Sequence, residues 1–341
     1  MDTTPHLYYN ALTLFHQGNY PRLTALWNEH HDWKKAWDAI ATTTRINPVY
    51  EWRRLLERAV RLLLRDDPDF PALLKEIPHA PFGIYIKGSC MFNPPTVAVV
   101  GTRRATTEGK RIAEQFSQEL SRQGITIVSG LAFGIDGAAH RGALASSGKT
   151  IAVLPVGLND VYPPHHTQLA EQIVSQGGSC ISEYPFGTPA LPYRFLERNR
   201  IVSGLSLGTL VVEAPFDSGA LVTARLAVEQ NRDVFVVPGP LHHPNYHGSH
   251  RLIREGASLI TRTEDIGEHL HLPFITNNPE NNPTLSPHEQ LVIQCITDAG
   301  KPLMLDTIMQ LTTLDLHTAN HAIALLTVNG MIKEVNGSYT L

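Results

Sequence analysis

Two stretches determine the fold class: VAVVGTRRATTEG at residues 97–109 and VSGLAFGIDGAAHRGAL at residues 128–144. Each opens with a short apolar run, turns at a glycine and continues with a helical pattern. A strand joined to a helix in this way is typical of parallel sheets, whose strands are covered on both faces and so lack alternating polar positions. Each stretch therefore predicts one βα unit.

Five more apolar runs extend this pattern over residues 81–270, and a helical stretch separates each run from the next. This alternation predicts a Rossmann-like, doubly wound, mostly parallel α/β sheet. The seven strand candidates are TVAVV (96–100), ITIVS (125–129), TIAVLP (150–155), SCISE (179–183), GTLVVE (208–213), DVFVVP (233–238) and ASLIT (257–261).

The flanking regions have other patterns. Residues 1–80 read as short helices, for example over 47–66, where apolar residues recur at helical spacing, and they predict a small helical, SAM-like domain. A Pro- and Asn-rich stretch, LPFITNNPENNP, predicts a linker at residues 271–283.

Residues 284–341 predict a winged-helix domain. Ser286 and Glu289 have the spacing of a capping box, three helical patterns follow, and Asn336-Gly337 is a hairpin signal. The whole formal charge of −4 falls on residues 271 onward, and the presumed recognition helix has no Lys or Arg. Phosphate binding needs cations, so this charge favours a partner protein over duplex DNA, which stays as the alternative.

Composition limits the class of protein. The chain has 341 residues, 42% of them hydrophobic, and three widely separated cysteines without a CxxC pair, which excludes a disulfide framework and the common structural zinc spacings. No apolar run reaches the roughly 18 residues of a membrane helix, and the N-terminus lacks a signal-peptide pattern. We expect a cytoplasmic protein with no membrane contact. His242, His243, His247 and His250 lack metal-ligand spacing, so no metal is expected.

The loop after the first strand predicts a phosphate site. Gly101 lets an anion approach the backbone, Thr102 offers a hydroxyl, and Arg103 and Arg104 offer guanidinium groups. Arg103 replaces the second glycine of a dinucleotide-binding motif, and no P-loop is present, so neither a dinucleotide nor NTP hydrolysis is predicted. Surface arginines in a simple turn are the alternative.

The next loop contains Gly130, and its Asp136 and His140 are one helical turn apart. A general acid/base pair is one interpretation. The favoured one is structural, with Asp136 as a helix cap or a support of the glycine loop and His140 orienting it.

Two later stretches add candidate contacts for a nucleic acid. PYRFLERNRIVSGLS combines cations with one aromatic ring, a composition suited to gripping a single strand, although Phe195 as a core residue is the alternative. EAPFDSGALVTARLA begins a helix near Ser218 and Gly219, which predicts an anion nest or a plain helix cap. The candidate residues of the first stretch are Arg194, Phe195, Arg198, Asn199 and Arg200.

These motifs, taken in order, resemble the DNA-processing protein A family. The resemblance covers the core through VAVVGTRRATTEG, VSGLAFGIDGAAHRGAL, FLERNRIVSGLS, VVEAPFDSGALVTARLA and GSHRLIREGA. It implies a cytoplasmic, non-catalytic protein without a cofactor that binds single-stranded DNA, forms a homodimer through its Rossmann core and helps load the RecA recombinase in natural transformation. The groove residues it implies are Gly101, Thr102, Arg103, Phe195, Asn199, Arg200, Ser218 and Gly219. Relatives commonly have a cation where this chain has Pro192.

The last strand candidate, residues 257–261, ends the strand order and predicts an apolar sheet edge that must be covered or paired. We expect the homodimer to form there through Leu259, with Leu252 and Ile253 of the preceding helix as further contacts.

The competing class is an enzyme. Nucleoside-monophosphate phosphoribohydrolases resemble this sheet and use a GT…E run after a strand, which Gly208, Thr209 and Glu213 match superficially. Their preceding Pro-Gly-Gly is replaced here by Leu205-Ser206-Leu207, which disfavours this alternative.

Overall fold

The computed structural model describes residues 4–89, 92, 95–273, 286–328, 331–335 and 337–340. The chain divides into two compact units, Met1–Phe274 and Ile275–Leu341. Most of the predicted linker, residues 274–283, lies outside the described residues. The domain boundary expected at residue 80 falls inside the first unit and stays a prediction.

The chain begins with helices that are capped by short polar side chains. Asn19, Asp32 and Asn47 each accept a hydrogen bond from the backbone amide three residues later, at 2.8–3.1 Å, which satisfies amides that a helix start leaves free. The helices are α1 (Thr4–Phe15), α2 (Tyr20–His30), α3 (Trp33–Asp38) and α4 (Pro48–Glu57).

The predicted helix over 47–66 is wrong in its second half. Helix α4 ends at Glu57, Ala59 has φ +51°, and β1 (Val60–Leu64) follows as a strand. Residues 60, 62 and 64 are buried and alternate with less buried neighbours, because β1 pairs antiparallel with β2 (Gly83–Gly88). The apolar residues of this segment do have helical spacing, but pairing with β2 satisfies its backbone hydrogen bonds in a sheet.

All seven predicted strands are present, and they pair in parallel as expected. The sheet order is β1-β2-β6-β5-β4-β3-β7-β8-β9, so two antiparallel strands that were not predicted extend one edge. The predicted strands are β3 (Thr96–Val100), β4 (Thr126–Ser129), β5 (Thr150–Val153), β6 (Ser179–Ser182), β7 (Gly208–Val211), β8 (Asp233–Val236) and β9 (Ser258–Leu259).

Helices cover both faces of this sheet. Buried side chains of α9 and α10 pack on one face, and those of α6 and α7 pack on the other. From the centre of the sheet, β3 to β6 are placed in order toward one edge, and β7 to β9 are placed in order toward the other edge. The strand order therefore reverses between β3 and β7, which is where open α/β sheets bind ligands. The helices of this part are α5 (Ala72–Lys75), α6 (Thr107–Arg122), α7 (Ile135–Ala145), α8 (Thr167–Ser175), α9 (Pro192–Gly204), α10 (Gly219–Glu229), α11 (His247–Arg254) and α12 (Thr263–His269).

The described residues of the second unit form three helices and a small antiparallel sheet in the order β10-β12-β11. The capping box is confirmed, since Ser286 and Glu289 exchange hydrogen bonds at the start of α13. Asn336 lies outside the described residues, and the winged-helix assignment stays a prediction. The elements are α13 (Pro287–Ala299), β10 (Leu303–Met304), α14 (Leu305–Thr312), α15 (Leu316–Val328), β11 (Lys333–Val335) and β12 (Ser338–Thr340).

Across the described parts of both units, no helix combines the length and the apolar character that crossing a bilayer requires.

Candidate functional site

A cavity of about 360 Å³ opens at the carboxyl ends of β3 and β4, between α9 and the start of α10. It lies at the reversal of strand order, where loops diverge and leave a crevice. Ten of the twelve residues predicted for binding line it: Gly101, Thr102, Arg103, Arg104, Gly130, Phe195, Arg198, Asn199, Ser218 and Gly219.

The turn after β3 is fixed by its backbone. The Thr102 amide donates to the carbonyl of Glu213 at 2.7 Å, and the Thr102 hydroxyl accepts from the Arg104 amide at 3.2 Å. Gly101 is required here, because a Cβ at this position would lie 2.4 Å from Cγ1 of Ile135. The turn is therefore rigid, while Arg103 and Arg104 extend into solvent.

Arg103 and Phe195 meet at the mouth of the cavity. The guanidinium carbon of Arg103 lies 4.9 Å from the ring centroid of Phe195, within the range of a cation–π contact. Phe195 is half-buried, and Tyr162 packs edge-on against it with ring centroids 5.2 Å apart. A positive charge and an accessible ring are thus placed side by side.

Arg198 lines the cavity, but its hydrogen bonds go to the protein. Its Nη1 donates to the carbonyl of Gly130 at 2.7 Å and to that of Val153. Burial lowers the pKa of Arg198 to about 10, so the side chain stays charged at neutral pH. A Cβ on Gly130 would lie 2.5 Å from this guanidinium, which explains the glycine. Arg198 therefore secures the loop after β4 and adds positive potential to the cavity.

Arg194 and Arg200, which were also expected in the groove, do not line the cavity, and their part in binding stays a prediction. Arg194 is buried and donates to the carbonyl of Pro189 at 2.6 Å and to that of Gln17 at 3.3 Å. Arg200 forms an ion pair with Glu183 at 2.6 Å. Residues 195 and 199 are about one turn apart and share a helix face, whereas residue 200 is turned by about 100° from residue 199.

Helix α10 closes the opposite side of the cavity with its amino end. Ser218 caps the helix by accepting from the Ala220 amide at 3.2 Å, and Asn199 on α9 donates to the carbonyl of Gly219 at 3.5 Å. A Cβ on Gly219 would meet nothing within 4 Å, so the backbone there is open to a ligand. Helix amino ends attract anions through their free amides and dipole.

Asp136 and His140 do not form an acid/base pair. Asp136 accepts from the amides of Gly130 and Ala132 at 3.1 and 3.4 Å and so supports the glycine loop. Burial raises the pKa of its carboxyl, an effect that neighbouring Arg198 opposes. His140 instead bonds Thr150 at 2.7 Å, and burial lowers its pKa to about 3. The structural interpretation fits Asp136, while His140 is hydrogen-bonded to the first residue of β5 and not to the glycine loop.

Glu213 supports the fold around the site. It is fully buried and accepts from the Thr106 amide at 3.0 Å, the Thr106 hydroxyl at 2.5 Å, the Asn245 amide group at 3.0 Å and the Tyr246 hydroxyl at 3.2 Å. A catalytic carboxylate needs a face open to substrate. Four donors surround this one, so its geometry disfavours the phosphoribohydrolase interpretation.

Sequence reasoning missed several lining residues. Leu196 and Val202 follow the helical spacing of Phe195 and Asn199, so periodicity was the signal that could have found them. Asp217 also lines the cavity and is exposed, which places one acidic group near the cations. Among the residues that the structure describes, no three His, Cys, Asp or Glu side chains are placed to hold a metal ion.

The residues expected at a dimer interface have mixed environments. Leu259 is 50% exposed on β9, which ends the sheet order and is therefore an edge strand, as expected. Leu252 and Ile253 are half-buried on α11 and pack partly against the protein's own core.

Comparison with known proteins shows relatives for the first unit. Protein Smf of Escherichia coli is 44% identical over 232 residues, which is 67% of this chain and 62% of that protein. The chain thus spans about three fifths of the length of this curated relative. The structure of DNA processing protein A from Streptococcus pneumoniae matches with TM-score 0.59 and 37% identity, over 65% of this chain and 82% of that one.

A structure of DNA processing protein A from Helicobacter pylori, reported for its single-stranded DNA binding mode, matches with TM-score 0.56 and 30% identity, over 62% of this chain and 95% of that one. The family model for DNA recombination-mediator protein A matches residues 61–271, which include every cavity-lining residue, and the chain therefore belongs to this family.

Proposed function

We propose that this protein binds single-stranded DNA in the cavity at the carboxyl ends of β3 and β4 and acts in DNA processing as a non-catalytic recombination mediator. The observation that carries this proposal is the Arg103–Phe195 pair, which faces the amino end of α10 across the cavity. A cation beside an accessible aromatic ring suits a chain of phosphates and unpaired bases.

Each part of a nucleotide has a matching group in this arrangement. Arg103 and Arg104 bind phosphates, and the positive end of the α10 dipole attracts them to the same cavity. A base stacks on Phe195, and the Asn199 side chain, at hydrogen-bonding distance from Gly219, is placed at a base edge or sugar. Most of these contacts are to the backbone and to the π face that every base has, so binding is independent of sequence.

Single strands are preferred over duplex. Stacking on Phe195 requires a base whose face is free, and a base inside a duplex has both faces covered by its neighbours. The relative from Helicobacter pylori, whose structure was reported for a single-stranded DNA binding mode, supports this choice.

The role of the bound strand follows from the family. We propose that the protein helps load the RecA recombinase on DNA taken up in natural transformation, and that it does so in the cytoplasm as a homodimer joined near Leu259. The second unit contacts a partner protein, because it has only two lysines and an excess of acidic residues, so its net charge is negative.

A salt-dependent binding curve tests the proposal. The full chain is titrated with a single-stranded oligonucleotide and with the duplex of the same sequence at several salt concentrations. We expect tighter binding of the single strand and a linear fall of log K with log salt, with a slope that counts phosphate contacts. Equal affinity for both DNAs, or no binding, would overturn the proposal.

A second experiment separates binding from loading and from catalysis. RecA filament formation is followed on single strands covered by single-strand-binding protein, with and without this chain. Faster filament formation supports the mediator role. Release of free base from nucleoside monophosphates would contradict the non-catalytic assignment.

A further inference from the structure

Two exposed aromatic rings beside the cavity are not used by the contacts described above. Phe133 is 44% exposed and Tyr162 is 39% exposed. Both lie at one rim: Phe133 follows Ala132, which lines the cavity, and Tyr162 packs edge-on against Phe195, which also lines it. A large apolar ring in water is unfavourable, so an ordered exposed pair next to a binding cavity indicates a ligand surface.

The position of Phe133 is set by a strained and well-supported loop. Leu131 has φ +57°, a left-handed conformation that is uncommon for a branched side chain, and Leu131 itself is fully buried. Asp136 holds the flanking amides, and the Leu131 carbonyl interacts with Nδ1 of His166 at 2.8 Å. The loop therefore keeps Leu131 in the core while Phe133 stays at the surface.

One short segment of chain connects Tyr162 to the residues that contact Phe133. The segment after Tyr162 brings His165 and His166 against Phe133, with ring centroids 5.8 and 5.1 Å from the Phe133 centroid. One short segment therefore supplies a ring against Phe195 and two rings against Phe133.

We propose that Phe133 and Tyr162, with His165, form a second base-stacking surface that binds the nucleotides leaving the cavity past Phe195. This inference rests on the proposed function and adds to it the path of the strand. The occupant is the same single strand, because the surface is continuous with the cavity and presents rings rather than donors specific for one base. The strand thus turns toward β5, and the cavity accounts for only part of the DNA site.

The test compares normal and abasic DNA. A thymidine oligonucleotide longer than the cavity is titrated against the full chain and the Phe133→Ala and Tyr162→Ala variants. We expect each variant to bind at least about fivefold more weakly, since stacking of one base contributes roughly 1 kcal/mol or more. An oligonucleotide of equal length without bases should show no such loss. Equal losses on both DNAs, or no loss on thymidine, would overturn the inference.

Control variants separate this effect from folding and from the proposed function. Phe133→Tyr retains a ring and should retain affinity, while Tyr50→Ala removes a ring that is 60% exposed on α4, away from the cavity lining, and should leave binding unchanged. Weakened binding by Arg103→Ala together with unchanged binding by Phe133→Ala would refute the second surface alone. Absence of binding by the unaltered chain would refute the proposed function itself.

A measurement on the unaltered protein tests the same path of the strand and does not depend on whether the variants fold. Oligonucleotides with 5-bromouracil at successive positions are irradiated in complex with the chain, and crosslinked peptides are identified by mass spectrometry. Crosslinks to the peptide that contains Phe133, from bases beyond the one that reaches Phe195, support the path. Crosslinks confined to Phe195, at all positions, would refute it.

Discussion

The Arg103→Ala variant tests the cavity most directly. In the described residues no carboxylate lies within 4 Å of the Arg103 guanidinium, so its charge is not neutralised by an ion pair. Its guanidinium carbon lies 4.9 Å from the centroid of the Phe195 ring. The substitution therefore removes a free cation at the cavity mouth and leaves the buried supports of the loop in place.

The expected loss of affinity is much larger than the loss of stability. One charge-assisted bond to phosphate contributes roughly 1.5–3 kcal/mol, which corresponds to about one to two orders of magnitude in Kd. The exposed cation–π contact contributes roughly 0.5–1 kcal/mol to the free protein, equivalent to a fall in Tm of about 2–4 °C at most. The salt slope should decrease by about 0.7, the value for one phosphate of a single strand.

The assay is fluorescence anisotropy of a labelled single strand at several salt concentrations, with Tm measured for each variant. Lys149→Ala is the matched control, because Lys149 is an exposed cation at the amino end of β5, whereas the cavity lies at the carboxyl ends of the strands. Arg103→Lys keeps the charge but loses the planar group and should be intermediate. Asp217→Asn removes a negative charge from the cavity and should tighten binding. Equal, small effects of Arg103→Ala and Lys149→Ala would refute the proposed cavity.

Four further predictions concern the Phe195 ring, the edge strand, the second unit and a buried histidine. Phe195→Ala should weaken single-strand binding by roughly 1–3 kcal/mol with little change in Tm; a large fall in Tm would show that the ring belongs to the core. Leu259→Glu should convert a dimer into a folded monomer in light scattering, and an unchanged dimer would place the interface elsewhere. Removal of residues 283–341 deletes two lysines and five acidic residues, so binding should be at least as tight, and weaker binding by a folded, dimeric truncation would make the second unit a DNA site. His140 has a folded pKa of about 3, below its unfolded value, so the unfolded state binds more protons between about pH 6.5 and 3. Stability therefore decreases as the pH is lowered through this range. Urea unfolding should show that His140→Gln removes roughly 2 kcal/mol of the loss between pH 7 and 5, whereas equal pH dependence of both proteins would contradict the burial of a neutral imidazole.

The parallel sheet was predictable from the sequence because its strands are short apolar runs that local pattern reveals. The site loops were predictable for a related reason: Gly101, Gly130 and Ser218 each follow or begin a regular element, and parallel strands bring their carboxyl ends to one edge. The antiparallel edge formed by β1 and β2 was not predictable in the same way. Residues 60–64 fit both a helical and an alternating pattern, and the partner strand decided between them.

The role of each charged side chain was decided only by the tertiary structure. Arg194, Arg198 and Arg200 are equivalent in the sequence, yet their partners differ. Arg194 binds the carbonyls of Pro189 and Gln17, Arg198 secures the β4 loop, and Arg200 pairs with Glu183. Each of these arginines has at least one partner 17 or more residues away in the chain, and no local pattern encodes those contacts.

The surface position of Phe133 likewise depends on tertiary contacts. The contacts of the loop from Gly130 to Asp136 with His166 and Arg198 keep this ring in solvent, although its apolar character alone predicts burial. Sequence pattern determined where the backbone forms strands and turns, because those preferences act between neighbours. Which side chains remain free to meet a ligand was determined by packing, because a buried charge must find its partner wherever the fold places one.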